Sequence, residues 1–183
     1  MAGRAMNKAL ISLILPFSLL LAACNMGTGN ESSSGTQSRP GDLHGARIGA
    51  SFTLTDQQGN KVRWDDFKGK YRLVYFGYTY CPDVCPVDLQ RIMQAYSLFE
   101  KADPARAAKV QPIFITVDPE RDTPSVLKTY VAAFHPRLVG LTGTPAEIAQ
   151  VEKDFVVISS KEEAKGGSDY LVSHSRTPYL FGP

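Results

Sequence analysis

The 183 residues suit one ordinary domain. Twenty basic and 18 acidic side chains nearly cancel, and no basic patch stands out, which removes nucleic-acid binding as a function class. Of three cysteines, two stand four residues apart and the third lies far away.

The chain opens with Arg4 and Lys8, then an apolar run from Ala9 to Ala23 that is short for a membrane span. It closes on Leu21-Ala22-Ala23-Cys24, the small-residue pattern of a bacterial lipoprotein signal. Residues 1–23 are therefore expected to be a signal peptide. Cys24 is the expected lipidation site. Residues 24–46, rich in Ser, Gly, Thr and Asn, are expected to be a flexible linker. This places the domain, residues 47–183, in a bacterial cell envelope, outside the cytoplasm and lipid-anchored to a membrane.

Phe52–Thr55 and Lys61–Trp64 flank Gln57-Gln58-Gly59-Asn60, a hairpin pattern. Tyr71–Phe76 is nearly all apolar, as for a strand buried on both faces. Asp88–Lys101 has helical spacing, with Leu89, Ile92, Met93, Tyr96 and Leu98-Phe99 on one face. Val110–Val117 reads as a second buried strand. Thr123-Pro124 and Thr144-Pro145 each pair an N-cap with proline at the first helical position. The two helices run to about Phe134 and Phe155, with a short strand Val139–Leu141 between them. Val156–Ile158 reads as a strand, and a loop follows from Lys161 to Ser168, with Gly166-Gly167 inside it. Tyr170–Val172 and Tyr179–Phe181 read as a last hairpin. Alternating strands and helices imply an α/β domain around a central sheet. A cysteine motif where the first strand meets its helix is the thioredoxin-like arrangement.

That motif is Cys81-Pro82-Asp83-Val84-Cys85-Pro86. Two thiols at this spacing can close a disulfide or grip a soft metal ion. Pro86 suits the first helical turn and biases Cys85 to the position just before the helix. The free N–H groups there, with Asp88 in the first turn, are expected to favour thiolates. Electron transfer alone normally uses two intervening residues, and here there are three. Two thiolates suit copper(I), and an added imidazole accommodates copper(II), so a third ligand is to be sought. His44 lies by the linker, His135 at a helix end where capping is natural, and His174 after an apolar strand. Spacing does not say which histidine reaches the thiols. Asp118-Pro119-Glu120-Arg121-Asp122-Thr123 follows the second buried strand, beside the cysteines in an α/β sheet. Glu120 and Arg121 read as turn and capping residues. Asp118 and Asp122 are candidates for supporting the ligands.

Asp66–Lys70, Tyr75–Pro86, Val117–Pro124 and Tyr170–Ser175 together resemble the Sco/SenC family, over roughly Ile48 to Phe181. The resemblance implies a thioredoxin-like fold and a membrane-anchored copper protein that helps mature the dinuclear copper centre of cytochrome c oxidase. It implies a copper ion held by Cys81, Cys85 and His174, and the copper-site subunit of the oxidase as partner. Such a protein is a metallochaperone more than an enzyme. An alternative within the family is a thiol-disulfide oxidoreductase, with Cys81 and Cys85 as a redox-active disulfide, reducing the oxidase's cysteines or serving other thiol-redox or copper proteins. Three departures bear on these expectations. Tyr80 stands where a histidine is common. Ser173 stands where an aspartate usually precedes the ligand histidine, so His174 is expected to be oriented less firmly. The family normally continues beyond the last strands into a closing helix, so the C-terminal part reads as truncated, with apolar surface left uncovered. A peroxiredoxin site does not fit, since Thr79 stands two residues before Cys81. A copper electron-transfer loop would need a Met and a second His soon after it, and Pro86–Arg91 supplies neither.

Overall fold

The computed structural model describes residues 43, 45–163 and 170–183. The expected signal peptide, Cys24, His44, Gly166-Gly167 and all but the end of the linker lie outside these residues. A compact unit runs from Gly45 to Pro183.

The first hairpin pairs β1 (Thr53–Asp56) with β2 (Lys61–Arg63). Gly59 takes φ +89° in its turn, and the Asp56 carboxylate accepts the Gln58 and Asn60 N–H groups at 2.8 Å each. A 3-10 turn, Trp64–Phe67, leads to β3 (Tyr71–Gly77), and β3 leads into α1 (Val84–Ala102). A short helix α2 (Pro104–Ala107), capped by Asp103 and not expected from the sequence, turns the chain into β4 (Val110–Thr116). Then follow α3 (Pro124–Ala132), β5 (Val139–Thr142) and α4 (Pro145–Asp154). Both helices begin as their Thr-Pro signals predict, with Thr123 and Thr144 accepting backbone N–H groups. The described chain closes with β6 (Ser159–Glu163), β7 (Tyr170–His174) and β8 (Tyr179–Phe181).

Six strands form one sheet in the order β2-β1-β5-β4-β3-β8. β3 and β4 pair in parallel from Tyr71↔Val110 to Gly77↔Thr116. Tyr75 and Phe114 point to one face, against Leu89, Met93 and Tyr96 of α1 and Leu127 and Val131 of α3. Val74, Phe76, Ile113 and Ile115 point to the other, against Trp64 and against Ile148 and Val151 of α4. Burial on both faces is why these two strands read as unbroken apolar runs. Helix α3 crosses β5 so closely that a Cβ at Gly140 would lie 2.8 Å from Val131 Cγ1. Gly140→Ala is expected to cost about 1–3 kcal/mol through overpacking, read as a lower urea midpoint with an unchanged slope.

The expected terminal hairpin does not form. β7 pairs with β6 in a separate two-stranded sheet, and β8 pairs antiparallel with the free edge of β3. Short apolar stretches carry no information about their partner. Pro178 stands just before β8, an edge strand, where its missing N–H leaves no gap in the ladder. Val156–Ile158 is not a strand: the Val157 N–H closes the end of α4 on the Glu152 carbonyl, and β6 begins after Ile158. Lys161, expected in a loop, lies inside β6. Exposed apolar side chains are scattered, with Leu98 on α1, Ile158 before β6 and Leu180 on β8.

Candidate metal centre

β3 ends at Gly77, and the next eight residues carry both cysteines. The lack of a side chain at Gly77 matters, because a Cβ there would meet the Phe114 ring at 3.0 Å and Cys85 Sγ at 3.3 Å. Helix α1 starts at Val84, so Cys85 sits within the first turn and not before it, and Pro86 follows as the third helical residue. Pro86 costs no hydrogen bond there, since the first N–H groups of a helix have no partner within it. Asp88 lies beyond the first turn. It accepts Arg176 Nε and Nη2 at 2.9 Å each and the Tyr75 hydroxyl at 3.3 Å.

Both thiols are free and buried. The Cys85 N–H donates to Cys81 Sγ at 3.3 Å. Burial pushes the Cys85 thiol up, and the contact between its own sulfhydryl and that of Cys81 pushes it the same way. At Cys85 this corrects the expectation of a helix-end thiolate, because desolvation outweighs the free N–H groups.

His174 ends β7, half-buried, with Nε2 3.0 Å from Cys85 Sγ. Its Nδ1 lies 2.9 Å from the Ser175 carbonyl oxygen, which can only accept. The carbonyl thus places a proton on Nδ1, and in the neutral ring this leaves the Nε2 lone pair facing the sulfur. The firm acceptor expected to be missing at Ser173 is supplied by this carbonyl. The Tyr78 ring stands edge-on to the imidazole with centroids 5.9 Å apart, and its hydroxyl oxygen accepts the Val172 N–H at 3.1 Å. The donor atoms of Cys81, Cys85 and His174 all lie within 4.8 Å of one another. Ligands about 2.0–2.3 Å from one ion stand at most about 4.6 Å apart, so the three fit a single ion after a small inward movement.

Asp118 and Asp122, both fully buried, hold the segments that carry the donor atoms and do not belong to the donor cluster. Asp122 accepts the Thr79 N–H at 3.0 Å and the Thr79 and Thr116 hydroxyls at 2.6 Å each, which ties the cysteine loop to the end of β4. Asp118 accepts the Tyr170 hydroxyl at 2.7 Å and pairs with Arg121. Arg121 also donates to the Tyr170 carbonyl at 2.9 Å, so it does more than the turn chemistry expected of it. Glu120 pairs with Lys161 of β6 at 2.6 Å. His135, read as a helix-end residue, stands apart from the donor cluster: its Nδ1 accepts the Arg137 N–H at 3.1 Å and its Nε2 faces Glu100 at 3.3 Å. Sequence reasoning missed Tyr78 and Tyr170, although the aromatic run Tyr78-Thr79-Tyr80 before the first cysteine was a visible signal.

An α/β sheet with two thiols at the first strand–helix junction and an imidazole opposite defines a thioredoxin-like, metal-site class of protein. The SCO1/SenC family profile matches residues 41–183, and the chain belongs to that family. It is 44% identical over 148 residues to the mitochondrial SCO2 homologue of Bos taurus, covering 80% of this chain and 55% of that one. The chain spans about half the length of the curated relatives it matches. Among solved structures, copper-bound ScoI of Bradyrhizobium japonicum is 47% identical with a TM-score of 0.67, over 73% of this chain and 82% of that one. Copper-bound yeast Sco1 is 40% identical with a TM-score of 0.64, over 74% of each chain. These matches show the thioredoxin-like fold expected from the sequence.

One expectation is corrected. The curated relatives from Bos taurus, Saccharomyces cerevisiae, Arabidopsis thaliana and Homo sapiens are mitochondrial proteins, which overturns the bacterial, lipid-anchored placement. A basic, acid-poor start does not by itself separate export from organelle targeting. Among the described residues no helix is long and apolar enough to cross a membrane.

Proposed function

We propose that this chain binds copper through Cys81, Cys85 and His174 and serves as an assembly factor for the copper centre of cytochrome c oxidase. The observation that carries the reading is the convergence of two sulfurs and one imidazole nitrogen within 4.8 Å. Two soft sulfurs and a borderline nitrogen suit copper in both common oxidation states. Burial raises the Cys85 thiol, and a bound metal ion would take the place of its proton. Loading should then release protons and weaken as pH falls. Relatives solved with copper bound support the choice of ion.

The test is a copper(II) titration of the anaerobically reduced full chain, followed by visible absorption. An intense sulfur-to-copper charge-transfer band that saturates at one equivalent is expected. A folded protein that shows no band would leave the thiol-disulfide oxidoreductase as the better reading.

A further inference from the structure

His174 belongs to a two-stranded sheet that shares no backbone ladder with the central sheet. Beyond its chain connections to α4 and β8, its place opposite Cys85 rests on side-chain contacts. Around Tyr170, four residues before His174 on β7, these converge on one cation. Arg121 Cζ lies 3.7 Å from the centroid of the Tyr170 ring. The same guanidinium lies 4.9 Å from the Tyr80 ring and 5.7 Å from the Tyr78 ring, both on the cysteine loop. It pairs with the fully buried Asp118 and donates to the Tyr170 carbonyl at 2.9 Å, while the Tyr170 hydroxyl donates to the other Asp118 oxygen at 2.7 Å. On β6, Lys161 Nζ lies 4.8 Å from the Tyr170 ring and pairs with Glu120. The Arg121 side chain is only 19% exposed, so these contacts are formed largely out of water.

We infer that Arg121 is a positioning residue for the metal centre: stacked on Tyr170 and pinned by Asp118, it docks β7 against the cysteine loop and so fixes His174 opposite Cys85. The inference rests on the copper reading for its consequence and on the docking geometry for itself. A planar guanidinium suits this place better than a lysine ammonium, because it lies flat on the ring while its fixed fork reaches Asp118 and the Tyr170 carbonyl together.

The experiment compares the full chain with Arg121→Gln, Arg121→Lys and Tyr170→Phe in two measurements. One is amide hydrogen exchange of the copper-free protein over Leu171–His174. The other is the rate at which EDTA strips bound copper(II). In Arg121→Gln and Arg121→Lys, exchange over Leu171–His174 is expected to quicken about tenfold, with β3 and β4 unchanged. Copper loss is expected to quicken by a similar factor, as is usual when a group that orients a ligand is removed. Tyr170→Phe keeps the stacked ring and loses only the hydroxyl bond to Asp118, so a smaller change of the same sign is expected. Unchanged exchange over Leu171–His174 in the arginine variants overturns the inference, whatever copper does. Faster exchange spread evenly over β3 and β4 also overturns it, by showing a general structural role. If the wild type takes up no copper(II), the copper reading fails and the exchange measurement alone decides. If the arginine variants do not fold, Tyr170→Phe decides by the same criterion.

Discussion

His174→Ala is expected to abolish the sulfur-to-copper(II) band and to weaken copper(II) binding by more than about 100-fold, beyond the loss usual for a group that merely supports a ligand. His174 is the nitrogen donor of the cluster, and without it two thiolates remain, a set that suits copper(I) and not copper(II). The fold should survive. The ring is half-buried at the end of β7, and its contacts are the edge of Tyr78, the Cys85 sulfur and the Ser175 carbonyl. The variant also separates the two functional readings. Reduction of a disulfide needs the Cys81 and Cys85 thiols and no imidazole, so a thiol-disulfide oxidoreductase would retain its rate in His174→Ala. A copper protein would lose its function while circular dichroism stayed native. A band of undiminished intensity in the variant would remove His174 from the site.

Phe155→Ala is expected to cost about 3–5 kcal/mol, measured as a fall in urea midpoint. Phe155 follows α4, is fully buried, and has ring centroids 5.4 Å from Trp64, 5.4 Å from Phe181, 5.5 Å from Phe76 and 6.1 Å from Phe52. These partners come from both ends of the sheet order: Trp64 and Phe52 flank the first hairpin, and Phe181 belongs to β8 at the opposite edge. The cavity would therefore open in an aromatic cluster that joins the segments flanking the first hairpin to β8, so elements at both edges of the sheet order would lose a shared contact. At the lower end of a total stability of about 5–15 kcal/mol, that loss leaves a marginal fold. A cost below about 1 kcal/mol would show that the cluster relaxes freely around Phe155.

The parts of the molecule that were legible in the sequence are those governed by neighbours along the chain. Cys81 and Cys85 announce themselves by spacing, and Thr123-Pro124 and Thr144-Pro145 mark their helix starts because capping is local. β3 and β4 were legible because burial on both faces leaves no polar position. His174 was not legible from spacing. It reaches Cys85 because Val172 docks on Tyr78 and Tyr170 docks on Arg121, contacts that span 94 and 49 residues. The resemblance to a family singled it out, and the geometry then placed it. The pairing of β7 and β8 failed for the same reason: three or five residues of strand pattern do not name a partner. The acidity of Cys85 was misread because burial, a tertiary property, opposes the helix-end effect that the sequence does show.

Cys85 and His174 are 89 residues apart in the chain. During synthesis the strand and helix that frame the thiols are complete long before the imidazole exists, so a nascent chain offers sulfur donors alone. An ion captured at that stage would sit on a two-donor site, and the histidine would join it only after β4, β5 and their helices had folded. If all three donors close on one ion, as proposed, that ion would tie the first βα unit to the outlying β6–β7 sheet. Loading would then act as a reversible staple on a long loop, and its occupancy would be written into the melting temperature of the whole fold.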